Sequence, residues 1–172
     1  MELEERREKR DRKMEPMVHL IVFKLGSEEY GIRIEQVKEV TVTPEITRMP
    51  KTPKFIKGIA NIRGDIIAIM DLEERFNVAP PADVNNLNYY KNTFTLALEA
   101  SDYTMGLIVR EMPQSLTIPV SQIDKTPAFI QDLNINENFI EGIGKINGRL
   151  IIVLDILRIL TSDEVQQLKM SS

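Results

Sequence analysis

The first regular pattern of apolar and polar positions begins near Met17. "VHLIVFKL" (18–25) is rich in β-branched and aromatic residues, "GSEE" reads as a turn, and "YGIRI" (30–34) resumes the strand character. Together they predict a first β-hairpin. "EQVKEV" (35–40) reads as a single helical turn. Pro44, Pro50 and Pro53 then interrupt the chain, which suits a connector skirting a barrel and not a central strand. "TFTLALEA" (93–100) and "YTMGLIV" (103–109) predict two further strands, and "DLNINEN" (132–138) reads as a polar loop. Ahead of these strands, "APPADVNNLNYYKN" (79–92) has the composition of an inter-lobe linker or mobile loop.

The strongest pattern is a repeat. "FIKGIANIRGDIIAIMDL" (55–72) returns as "FIEGIGKINGRLIIVLDI" (139–156), offset by 84 positions with eight identical pairs. Two copies are too few for a solenoid. They predict one domain of two similar lobes, roughly 17–85 and 91–161, with the exchange of strands between them left open.

Each copy reads as a hairpin. In the second, Asn147-Gly148 forms the bend, a strong two-residue turn signal because both residues tolerate positive φ. The repeat maps Arg63-Gly64 onto that pair, although a loop of Gly64-Asp65 is an alternative. With the turns in register, Arg63 takes a backbone conformation that suits Asn and costs another residue roughly 1–2 kcal/mol. Its charge then either meets a partner or only keeps the tip solvated. Beyond the bends, "IIAIM" (66–70) and "LIIVL" (150–154) are apolar without alternation, so both faces of each strand need cover. That cover comes from the other lobe or from a partner protein.

Short strands with turns between them give a mainly β class. "DLEERFN" (71–77) predicts a short helix, with Asp71 and Glu74 in capping positions. "TSDE" (161–164) predicts the start of a C-terminal helix or tail over 162–172. The first fifteen residues carry six acidic and six basic side chains. Residues 1–16 are therefore a charged arm, either a solvated or disordered segment or a docking helix.

Composition narrows the function. A chain of 172 residues is long enough for a real core. The net charge of −4 argues against a duplex nucleic-acid partner. The chain has no cysteine, which removes disulfides and thiol metal sites. No apolar run approaches the roughly 18 residues of a membrane span, and no signal peptide is visible, so a cytoplasmic location is expected. His19, the single histidine, is expected to be buried in an apolar strand pattern and has no metal-binding companion. Asp71 and Asp155 are equivalent positions of the two copies, which points to helix capping and not to a catalytic pair. Phosphate-cradling glycine motifs are absent. Neither an enzyme nor a cofactor or metal is expected. A ligand-binding or catalytic barrel, the rival reading, predicts a closed polar pocket.

"LIVFKLGSEEYGIRIEQVKEV", "ITRMPKTPKFIKGIANIRGDIIAIMDLEERF", "MGLIVREM" and "FIEGIGKINGRLIIVLDILRIL" resemble the CheW-like family of bacterial chemotaxis coupling proteins. The resemblance runs from about residue 18 to 161. It implies two packed, five-stranded SH3-like β-barrels with short helices. It also implies a non-enzymatic adaptor that joins the cytoplasmic tips of methyl-accepting chemoreceptors to the regulatory domain of the histidine kinase CheA, recruited to membrane-associated receptor arrays. An adaptor of another chemosensory or motility pathway is the alternative within this class. Carried over by position, Asn61 and Arg63 match the family's "NLRG" element, and Val37 and Glu39 match "V-x-E"; both elements are implied to contact partners. Gly58 and Gly106 match glycines that set the lobe arrangement. Phe94 and Leu107 match apolar contact positions, and Ile59, Ile62, Met70 and Leu72 are assigned by analogy. Three residues depart from the pattern: Ile62 for leucine, Ala68 where proline is common, and Arg110 at a usually acidic position.

Overall fold

The computed structural model describes residues 2–7, 15–76, 78, 90–100, 103–125 and 137–160. Eleven strands are described: β1 (Met17–Leu25), β2 (Glu28–Arg33), β3 (Val37–Val42), β4 (Ile56–Ile62), β5 (Asp65–Asp71), β6 (Phe94–Glu99), β7 (Thr104–Val109), β8 (Gln114–Pro119), β9 (Ile123–Asp124), β10 (Ile140–Ile146) and β11 (Arg149–Leu154). They form a five-stranded sheet in the order β3-β6-β7-β5-β4 and a six-stranded sheet in the order β8-β1-β2-β11-β10-β9. These are the walls of two packed SH3-like barrels, here barrel I (β3–β7) and barrel II (β1, β2, β8–β11).

The pairing runs across the expected lobe bounds at 17–85 and 91–161, through an exchange of strands that the sequence left open. Hairpin β1–β2 completes barrel II, where β1 lies antiparallel to β8 and β2 parallel to β11. Hairpin β6–β7 completes barrel I in the same manner, through β3 and a parallel contact to β5. The parallel contacts are themselves equivalent: Gly106 lies opposite Ile69, and Gly31 lies opposite Val153, with Ile69 and Val153 related by the repeat. Each repeated hairpin lacks the strands that close its barrel: the next hairpin along the chain supplies them in barrel I, and the first hairpin of the chain supplies them in barrel II.

A correction concerns 35–40. The helical turn is confined to Ile34–Gln36, and Val37–Val42 is a strand. Its three valines and Thr41 favour the extended state once β6 offers a ladder. The strand β8 was not anticipated; "QSLTIP" is half polar and ends in proline, which an edge position tolerates. The expected C-terminal helix and most of the 79–92 linker lie outside the described residues.

Three apolar clusters explain the unalternating strands. Ile46, Ala60, Ile62, Ile67, Ile69, Tyr90, Ala97 and Ile108 fill barrel I. Val18, Leu20, Val22, Ile118, Ile151 and Val153 fill barrel II. Between the barrels, Phe23, Tyr30 and Ile32 meet Met70, Leu72, Leu98, Met105 and Leu107. Strand β5 thus sends Ile67 and Ile69 into its own barrel and Met70 into the shared layer. In β11, Ile151 and Val153 face inward while Ile152 and Leu154 face the other barrel. The second face of each strand is covered by the neighbouring barrel.

Candidate partner-binding site

The β4–β5 turn is in register with its sister. Arg63 has φ 51° and Gly64 φ 91°, against 50° and 76° for Asn147 and Gly148. Ile62 pairs with Asp65 as Ile146 pairs with Arg149, so the two-residue loop is Arg63-Gly64. The Gly64 N–H donates to Asn61 Oδ1 at 2.8 Å, which ties the turn to its own incoming strand.

Arg63 reaches Glu39 on β3, with Nε 2.8 Å from Oε2. The arginine side chain is 84% exposed and that of Glu39 only 16%. A register shift between Val37 and Glu39 in the β3–β6 pairing lies beside this contact. Such bulges re-aim side chains. Lys38 and Asp65 add a weaker, exposed pair at 3.4 Å. Strands β3 and β4 are opposite ends of the five-stranded order. The two ion pairs join β3 to the β4–β5 hairpin, and the Thr47–Ile59 bridge ties the connector after β3 to β4, so the two sides of the sheet are drawn together. Exposed pairs contribute about 0–1 kcal/mol, while left-handed backbone at a non-glycine residue costs about 1–2 kcal/mol. Folding alone does not account for an arginine here.

Gly58 sits at a bulge with φ 149°, and a Cβ there would lie 2.1 Å from the Thr47 carbonyl oxygen. Thr47 and Ile59 exchange two backbone hydrogen bonds of 2.8 Å across this point. Only glycine allows the connector so close to β4. At Gly106 a Cβ would meet Ile69 Cδ1 and Thr95 Cγ2, both at 2.8 Å.

The other candidates divide by burial. Asn61 is exposed, while Val37, Ile59 and Phe94 are half-buried. Leu107, Met70 and Leu72 are wholly buried between the barrels, and Ile62 points into barrel I. All four are covered by the fold itself: alternation turns Ile62, Met70 and Leu107 inward along their strands, and Leu72 opens the buried side of the helix Leu72–Arg75. Two exposed apolar residues were missed, Val40 at 37% and Val42 at 64%. Their alternation with Glu39 and Thr41 is a strand signal that the helical reading of 35–40 concealed.

The departure at Arg110 is answered locally. Its guanidinium forks onto Glu73, Nε–Oε1 at 2.5 Å and Nη2–Oε2 at 3.1 Å, and the Glu73 side chain is 7% exposed. Asp71 caps the helix Leu72–Arg75, accepting from the Glu73 and Glu74 N–H groups. Its other oxygen accepts from the Tyr90 hydroxyl at 2.9 Å. Burial, and then the Asp71 charge, push the Tyr90 hydroxyl far above the usual phenol range. Asp155 caps Ile156–Arg158 in the same role. Glu74 does not reach back as a capping box requires; it pairs with Lys57. His19 lies on the outward face of β1, beside Thr117 at 3.0 Å, which corrects its expected place in an apolar environment. Among the described residues no group of three or more His, Cys, Asp or Glu side chains could hold a metal. No described helix is long and apolar enough to cross a membrane.

The fold and this tip define a class: mainly β proteins in which two packed SH3-like barrels present a paired arginine on a hairpin bend. The chain belongs to the CheW-like domain family, whose sequence model matches residues 19–164. It is 32% identical over 145 residues to the chemotaxis protein CheW of Klebsiella aerogenes, covering 84% of this chain and 82% of that protein. It is 31% identical to CheW of Helicobacter pylori, covering 87% and 85%. The crystal structure of the scaffolding protein TtCheW from Thermoanaerobacter tengcongensis superposes with a TM-score of 0.73 at 30% identity, covering 87% of this chain and 91% of that one.

Proposed function

We propose that this protein is a non-enzymatic chemotaxis adaptor that couples the cytoplasmic tips of methyl-accepting chemoreceptors to the regulatory domain of the histidine kinase CheA. The observation that carries the proposal is the Arg63–Glu39 pair on a strained, exposed bend, in a chain similar to chemotaxis CheW proteins over most of its length. Arginine is over-represented among interface residues whose truncation costs about 2 kcal/mol or more. In this reading Arg63, Glu39, Asn61, Val37, Ile59 and Phe94 meet partners. Gly58 and Gly106 set the shape, and Ile62 and Leu107 support it from within. Receptor binding recruits the protein to membrane-associated arrays.

The test is a pull-down with a receptor signalling-tip fragment and a CheA regulatory domain, using wild type and Arg63→Ala. The expected result is binding by wild type and at least about tenfold weaker binding by a folded mutant, equivalent to about 1.4 kcal/mol. Equal binding by the mutant removes Arg63 from the interface. Failure of wild type to bind either fragment overturns the adaptor role.

A further inference from the structure

Arg75 stands where the two copies of the repeat meet. The 84-position offset maps Arg75 onto Ile159 and Phe55 onto Phe139, and the structure brings all four together. Arg75 Nε and Nη2 donate to the Ile159 carbonyl at 3.2 and 2.9 Å. The guanidinium carbon lies 4.4 Å from the centre of the Phe55 ring and 5.1 Å from that of Phe139. A residue that bonds its own repeat counterpart, between a pair of equivalent rings, lies at the pseudo-symmetry axis relating the copies.

Both sides of this contact are anchored in their own barrels. Arg75 ends the short helix that Asp71 caps, and the Asp71 N–H donates to the Phe55 carbonyl at 2.8 Å. Across the axis, the Asp155 N–H donates to the Phe139 carbonyl, also at 2.8 Å. Phe139 stacks on Phe76 at 5.7 Å, and Phe76 meets Tyr30 of β2 at 5.9 Å. The side-chain contact runs one way, because isoleucine at 159 has no polar side-chain group to reach back to the Arg75 backbone.

We propose that Arg75 is a positioning residue that fixes the angle between barrel I and barrel II, and so couples a partner held on one barrel to a partner held on the other. The apolar layer between the barrels keeps them in contact, but apolar burial is non-directional. Two N–H groups on one carbonyl and two ring faces impose a direction. The planar, weakly hydrated guanidinium suits such a site, and an ammonium cannot span it in the same way. The functional half of the proposal rests on the adaptor reading; the geometric half does not.

The chain has no cysteine, so Ile66→Cys and Leu150→Cys can carry a unique pair of nitroxide labels. These repeat-equivalent residues are 52% and 49% exposed. Pulsed dipolar spectroscopy on the full chain is expected to give a narrow distance distribution. Arg75→Met, folded by circular dichroism, is expected to shift and broaden it, and Arg75→Lys to fall between the two. A folded Arg75→Met with an unchanged distribution overturns the proposal. Should that variant fail to fold, an Arg75→Lys distribution that overlays wild type overturns it equally.

On the unlabelled chain, Arg75→Met is expected to bind the receptor-tip fragment and the CheA regulatory domain singly as wild type does, and to lose stability only in the ternary complex. An unimpaired ternary complex removes the coupling role. If wild type binds neither fragment, the adaptor reading fails, while the distance measurement still decides whether Arg75 sets the angle.

Discussion

Arg63 and Glu39 form an ion pair in which the base is almost fully exposed and the acid is largely covered. The covered carboxylate orients the guanidinium on its strained bend and leaves most of its donors facing outward. On the proposed function such a site gains binding at the expense of local stability, and the two can be separated by substitution.

Arg63→Asn recreates the turn of the second copy, where Asn147 holds φ 50°. It is expected to raise stability by roughly 1 kcal/mol, because asparagine tolerates the left-handed region. Partner binding should weaken by about tenfold or more. Denaturant titration and binding to the two fragments check the two halves. A mutant that loses stability while keeping affinity contradicts this account of the bend.

Gly58→Ala and Gly64→Ala both place a Cβ on positive-φ backbone, but only the first meets atoms. At Gly58 the neighbour is the Thr47 carbonyl at 2.1 Å; at Gly64 nothing lies within 4 Å. Gly64→Ala should cost about 1 kcal/mol. Gly58→Ala should cost clearly more and expose the Thr47 and Ile59 amides to hydrogen exchange. Equal costs, measured by chemical unfolding, would mean that the connector yields without resistance.

Leu20→Ala tests the exchange of hairpins between barrels. Leu20 is completely buried in barrel II, so the truncation should cost about 2–5 kcal/mol. Native-state exchange should show protection lost in β8 and β11, far along the chain, before it is lost in β3–β5. Uniform loss across both barrels would mean that they unfold as one unit.

Arg110→Asp supplies the acidic residue expected from the family resemblance. Here it would set a carboxylate against Glu73, whose side chain is 7% exposed. Breaking a mostly buried pair costs on the order of 3 kcal/mol, reduced because Arg110 is partly in water. Arg110→Asp should therefore be less stable than Arg110→Ala, as thermal unfolding would reveal. The reverse order would show that Glu73 is not held by this arginine.

Much of the candidate site was legible because its signals are local. The repeat and the Asn147-Gly148 bend put Arg63 at a hairpin tip, with the left-handed conformation as one of two readings; the pairing of Ile62 with Asp65 chose it. Asp71 was legible as a cap from its place before a short helix. The pairing of Arg63 with Glu39 was not, since β3 and the β4–β5 bend come together only through closure of a barrel. The placement of Leu107 and Ile62 also eluded the sequence: an apolar residue on a two-faced strand looks the same whether it lines a groove or fills a core.

The sequence by itself determined the strand character of the chain, the two equivalent hairpins with their bends, and the residue types that each bend requires. These follow from backbone preference and short-range periodicity. Only the tertiary structure decided that hairpin β1–β2 closes the barrel of β8–β11, that Glu39 orients Arg63, and that Arg75 lies against its own repeat counterpart. Each depends on burying apolar strand faces between segments distant in the chain, and no local pattern encodes which distant segment will supply the cover.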